Sequence, residues 1–185
     1  GPRLPAGGAS LLPPPGSFLQ ASAQAESEME RIVREHLKFA GNVADLFSGC
    51  GTFALRLAAE ASVLAAEGNA AAVDALKESL RAAHGLKPVR AEVRDLFRNP
   101  YGAAELSRLG GVVLDPPRAG AAAQVAELTK SRVPKIAYVS CDPATLARDL
   151  RTLVDGGYSI VRIHPIDQFL WSAHVEAVAL LERRP

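Results

Sequence analysis

Five short apolar runs, at residues 42–47, 62–67, 89–94, 111–114 and 136–140, are separated by Ala-rich or charged segments of helical character, and this alternation constrains the fold most. Strands buried on both faces read as near-continuous apolar runs, and strands alternating with helices imply a parallel sheet covered on both sides. Helices are expected over 52–60, 70–84, 121–130 and 143–154. An earlier amphipathic helix is expected over 22–38, where Ala25, Met29, Ile32, Val33 and Leu37 recur at helical spacing. After the last helix the rhythm changes: 158–163 and 174–182 are strand candidates with no helix-length segment between them, so they should pair antiparallel. The expectation is an α/β domain with a mostly parallel seven-stranded sheet, an antiparallel last strand and helices on both faces.

A chain of 185 residues fits one such domain, expected over 17–185, with the Gly- and Pro-rich stretch 1–16 read as a linker or an extraneous leader. Hydrophobic residues at 48% and charged residues at 22% are enough for a buried core. No apolar run approaches the roughly 18 residues of a membrane span and no secretory signal opens the chain, so a cytoplasmic protein without membrane contact is expected. Two cysteines, Cys50 and Cys141, both lie in motif-like turns, which argues against a disulfide framework and for a working thiol. No metal site is expected. A net charge of +1 and a pI near 8.0 give no strong nucleic-acid footprint.

The ends of the strands carry the chemistry. The first runs into Asp45-Leu46-Phe47-Ser48-Gly49-Cys50-Gly51-Thr52 and then a helix, an arrangement in which glycines let the backbone turn tightly against a ligand at the helix N-terminus. Glu67 ends the second strand, where a carboxylate can accept hydrogen bonds from ribose hydroxyls, and Asp95 follows the third, placed for an adenine amino group. Gly-x-Gly alone is also a plain tight turn, and Asp95 alone is also a solvated turn acid or helix cap. Together they suit a nucleoside-containing cofactor, either a dinucleotide or S-adenosylmethionine. The fourth strand leads into Asp115-Pro116-Pro117-Arg118-Ala119-Gly120, whose paired prolines fix an extended loop that turns Asp115 towards the crevice. The fifth ends Ser140-Cys141-Asp142-Pro143-Ala144-Thr145 at the same edge, although a lone cysteine there is more often a packing residue.

These motifs, in this order from Phe18-Leu19-Gln20 to His174-Val175-Glu176, resemble the RNA uracil-C5 methyltransferases over nearly the whole chain. Asp-Pro-Pro-Arg-x-Gly, Ser-Cys-Asp-Pro-Ala-Thr-Leu-Ala-Arg-Asp and the His-Val-Glu near the end carry the resemblance most specifically. It implies a Rossmann-like class I methyltransferase fold. It also implies that Gln20, Phe47, Gly49, Thr52, Glu67, Asp95 and Asp115 bind S-adenosyl-L-methionine, that Cys141 is the nucleophile and that Glu176 is the general base. The substrate so implied is a uridine of rRNA or tRNA. Two departures stand out: Ser22 replaces a usual Asn, and Leu170 replaces the Pro usual after Asp-x-Phe, loosening the loop that carries Trp171.

The reaction needs a thiol and a base. Carbon 5 of uracil is too poor a nucleophile until a thiolate adds to carbon 6, and a base must later remove the carbon 5 proton. The target base has to leave its stack, with Trp171 or Phe169 as candidate stacking partners, and Cys141 is expected to gain acidity from the helix N-terminus near Pro143. Strand alternation puts His174 and Glu176 on one face. The family resemblance also implies N-terminal RNA-binding domains, for which there is no room before Gln20, so the chain is expected to be a monomeric catalytic module that leaves phosphate contacts to other parts. Two alternatives remain at this stage: an inactive methyltransferase-fold module that only binds RNA, and a dinucleotide-dependent oxidoreductase.

Overall fold

The computed structural model of the chain describes residues 4–6, 9–11, 23–166 and 176–185. Strands β1 (Leu4–Ala6) and β2 (Ala9–Leu11) form a small antiparallel hairpin inside the stretch expected to be linker. Helix α1 (Ala23–His36) precedes the main alternation: β3 (Asn42–Leu46), α2 (Thr52–Leu57), β4 (Ser62–Glu67), α3 (Ala70–Ala82), β5 (Val89–Val93), α4 (Ala103–Leu106), β6 (Gly111–Leu114), α5 (Ala122–Lys130), β7 (Lys135–Ser140), α6 (Pro143–Asp155), β8 (Tyr158–Ile166) and β9 (Glu176–Arg183).

The seven main strands form one sheet in the order β5-β4-β3-β6-β7-β9-β8. The first five pair parallel, and β9 inserts antiparallel between β7 and β8. This is the mixed sheet expected from the sequence. From β3 the chain moves outward through β4 and β5, then returns to lay β6 on the other side of β3. The loops leaving β3 and β6 therefore diverge, opening a crevice at the carboxyl ends of the strands.

Both faces of the central strands are buried, which is why those strands read as continuous apolar runs, while the edge strand β8 is largely exposed and β5 partly so. Val43, Val63, Val113 and Val139 point to the side where Met29, Leu55 and Leu76 of α1, α2 and α3 pack. Ala44, Leu46, Val112 and Tyr138 point to the opposite side, against Leu106, Leu128 and Leu153 of α4, α5 and α6. The first strand stops one residue short of the expected end because Phe47 takes a left-handed φ of 64°. The second expected helix closes at Leu57, three residues early, and β8 runs on to Ile166 with a bulge between Ile160 and Arg162. Among the described residues no helix is long and apolar enough to cross a membrane.

Candidate active site

The glycine loop after β3 depends on three left-handed residues, Phe47, Gly49 and Gly51, with φ of 64°, 54° and 98°. A side chain at Gly51 would also collide with Leu76 of α3, so glycine is needed there on both counts. Glu67, at the tip of β4, ties the loop down: its Oε2 accepts from the Gly49 amide at 3.0 Å and its Oε1 from the Asn69 amide at 2.8 Å. Each oxygen keeps a second lone pair for a ligand hydroxyl.

A cavity of about 510 Å³ lies against this loop and is lined by Phe47, Gly49, Thr52, Glu67, Asp95 and Asp115. Cys141 and Glu176 line the same cavity. Every expected site residue that lies within the described part of the chain is thus brought to one place. Gln20, Ser22, Phe169, Leu170, Trp171 and His174 lie outside the described residues. Strand pairing explains how these two side chains meet: Ser140 of β7 is in register with Ala177 of β9, so Cys141 and Glu176 leave neighbouring strands at the same edge.

Asp95 is exposed, and its Oδ1 accepts from the amides of Phe97 and Arg98 at 3.0 and 3.3 Å, holding its own turn while lining the cavity. The Phe97 ring sits 5.4 Å from that of Phe47, inclined at 57°, which gives the cavity an aromatic flank that sequence reasoning missed. An aromatic residue two positions after a strand-ending acid was the available signal. Asp45 is the second omission. It is fully buried on β3 with neither carboxylate oxygen in a hydrogen bond, and burial raises its pKa to about 7, partly offset by the Ala54 amide and reinforced by Glu67.

Burial likewise brings Glu176, 5% exposed, to about 7. Asp115 is pushed well above the usual carboxylate range by burial first and then by Glu176, Asp45 and Glu67. The half-buried Cys141 thiol is raised by burial and by the Glu176 and Asp115 carboxylates, with Arg118 opposing them. This reverses the expected acidification by the helix. The reason is local: Asp142 caps α6, its Oδ1 accepting from the Ala144 and Thr145 amides at 3.0 Å each, so those donors face an anion already.

An open sheet of this order, with a glycine loop and a row of acids at its carboxyl edge, defines the Rossmann-like methyltransferase class. The tRNA (uracil-54, C5)-methyltransferase of Pyrococcus abyssi, solved in complex with S-adenosyl-L-homocysteine, matches with a TM-score of 0.80 and 30% identity, over 97% of this chain and 43% of that one. A model of the tRNA (uracil-5-)-methyltransferase family matches residues 13–184, and the chain belongs to that family. An uncharacterized RNA methyltransferase of Mesorhizobium japonicum is 57% identical over 98% of this chain and 45% of its own length. The 23S rRNA (uracil(1939)-C(5))-methyltransferase of Chromohalobacter salexigens is 42% identical over 91% of this chain and 35% of its own length. The chain therefore spans less than half the length of these relatives. Membership of the family separates it from the dinucleotide oxidoreductases that the glycine loop alone would admit.

Proposed function

We propose that this domain, within a longer protein, methylates carbon 5 of a uridine in RNA, with Cys141 bonding covalently to carbon 6 of the base. The observation that carries the reading is the meeting of Cys141 and Glu176 with the glycine loop, Glu67 and Asp115 around one cavity. Its volume of about 510 Å³ lies in the range of ligand and cofactor sites. Asp115, a cavity-lining acid whose pKa burial raises well above the usual carboxylate range, suits a ligand that brings positive charge. The residues present thus fit S-adenosyl-L-methionine, which supplies an electrophilic methyl group on a sulfonium.

In this reading Glu67 accepts the ribose hydroxyls, Asp95 the adenine amino group, and Phe47, Gly49, Thr52 and Asp115, with Gln20, complete the cofactor site. The Cys141 thiolate adds to carbon 6, pushing the ring electrons towards the carbon 4 oxygen and making carbon 5 nucleophilic. After methyl transfer, Glu176 takes the carbon 5 proton, the ring double bond re-forms and the Cys141–carbon 6 bond breaks. A carboxylate with a pKa of about 7 is well matched to moving a proton near neutrality. In the free protein Asp115 and Glu176 disfavour the thiolate, and positive charge beside them relieves that repulsion, which favours attack only when the site is filled.

The test uses the full-length protein with rRNA and tRNA as substrates and denaturing electrophoresis of labelled RNA. Cys141→Ala should lose both methylation and the covalent adduct while still binding S-adenosylhomocysteine. Glu176→Gln should accumulate a methylated adduct. Product formation by Cys141→Ala would overturn the nucleophile.

A further inference from the structure

Helix α6 carries three polar residues that the proposed chemistry does not use, Thr145, Arg148 and Asp149, and all three reach the segment that follows Asp115-Pro116-Pro117. Thr145 Oγ1 donates to the Arg118 carbonyl at 2.9 Å, and Arg148 Nη2 donates to the Ala119 carbonyl at 3.0 Å. The Ala121 amide in turn donates to Asp149 Oδ2 at 2.7 Å. Their spacing along the helix puts the three on one face. Gly120, with φ of +76°, lets the backbone lie directly against them, since a Cβ there would meet all three side chains.

Asp149 is the hub of this contact. It is 1% exposed, and its Oδ2 also accepts from the Tyr138 hydroxyl at 2.5 Å while its Oδ1 accepts from Arg148 Nε at 2.9 Å. Tyr138 lies on β7 and α6 starts at Pro143, so the strand and helix joined by Asp149 are those on either side of Cys141. Hydrogen bonds in so dry a place are strong and directional, and they tie the loop after β6 to the two elements that carry the thiol.

We propose that Thr145, Arg148 and Asp149 are positioning residues that hold the 115–118 loop at a fixed distance from Cys141, so that Asp115 cannot move away as a thiolate forms. The proposal rests on Cys141 being the nucleophile. The charged groups acting on the thiol are Glu176 from β9 and Asp115 and Arg118 from the loop, the two acids opposing ionisation and the arginine favouring it. With the loop clamped, the thiol stays protonated until the site is filled. With the loop loosened, Asp115 is free to move off as the thiolate forms, and the thiol ionises more easily.

Alkylation of this chain by iodoacetamide from roughly pH 6 to 10, the span of thiol titration, tests this when peptide mass spectrometry resolves Cys141 from the buried Cys50. Thr145→Val removes one loop contact and leaves the Asp149–Ala121 bond, whereas Arg148→Ala removes another and with it the guanidinium paired to the buried Asp149. Both should move the midpoint of Cys141 alkylation down by about half a pH unit, raising the rate near neutrality about threefold. Thr145→Ser should restore the wild-type profile. A merely structural role would lower the melting temperature and leave the pH profile where it was, and that result in both variants overturns the proposal, as does failure of serine to restore it. Either variant decides alone should the other not fold. The assay needs neither RNA nor methyl donor, so its outcome is separate from methylation by Cys141→Ala, which decides the nucleophile itself.

Discussion

Burial raises the Asp45 pKa to about 7, and only the Ala54 amide works against that rise. A charge so deeply buried destabilises the folded chain. The folded protein holds this proton more tightly than the unfolded chain, where the ordinary value is 3.8. Its contribution to stability is therefore fully present below pH 3.8 and is lost as pH rises through about 7. Without cofactor, Asp45→Asn should stabilise the protein by on the order of 2–4 kcal/mol near pH 8 and by little near pH 4. Urea unfolding at the two pH values reads this, and an equal effect at both would contradict it. Glu67 is the opposite case, a carboxylate with donors on both oxygens. Glu67→Ala should weaken S-adenosylhomocysteine binding by about 1–3 kcal/mol, the loss of a charge-assisted partner, as read by calorimetric titration.

Among the elements, the join of α1 to α2 has the clearest energetic consequence. The Arg56 side chain, 8% exposed, bonds Glu26 and Glu30 of α1 at 2.6 and 2.5 Å, fixing the helix that follows the glycine loop to the one that leads into the sheet. Arg56→Ala leaves Glu26 facing an empty position and Glu30 with Arg34 at 3.6 Å, and chemical denaturation should show a loss of about 2–4 kcal/mol. A loss below about 1 kcal/mol, the value of a surface pair, would show that solvent screens these contacts. The strands were legible in the sequence because burial on both faces leaves Val43-Ala44 and Val112-Val113-Leu114 with no polar break. The four-residue α4 was not, being too short to show a period, and neither was the hairpin in the Gly- and Pro-rich start. Acids at strand tips were found because position alone marks them. Asp45 escaped, since its burial follows from α2 folding over it, and the acidity of Cys141 was misjudged because burial raises the thiol and Asp142 already occupies the helix N-terminus.

For the whole molecule, a net charge of +1 offers few phosphate contacts, so this chain alone should bind RNA weakly and lose what affinity it has as salt rises. Gel shift or fluorescence anisotropy at physiological salt checks this, and a salt-resistant submicromolar complex would overturn it. The strand order has a consequence for synthesis. Because β9 sits between β7 and β8, every element made before it leaves the edge of β7 open, and β8 has no partner in the sheet until β9 arrives. An open apolar edge is a template for pairing with other chains. A nascent chain halted after α6 would therefore offer that edge to its neighbours and depend on chaperones, whereas release past Arg183 closes it. The same insertion brings Glu176 to the cavity, so synthesis completes the sheet and the wall of that pocket in one event.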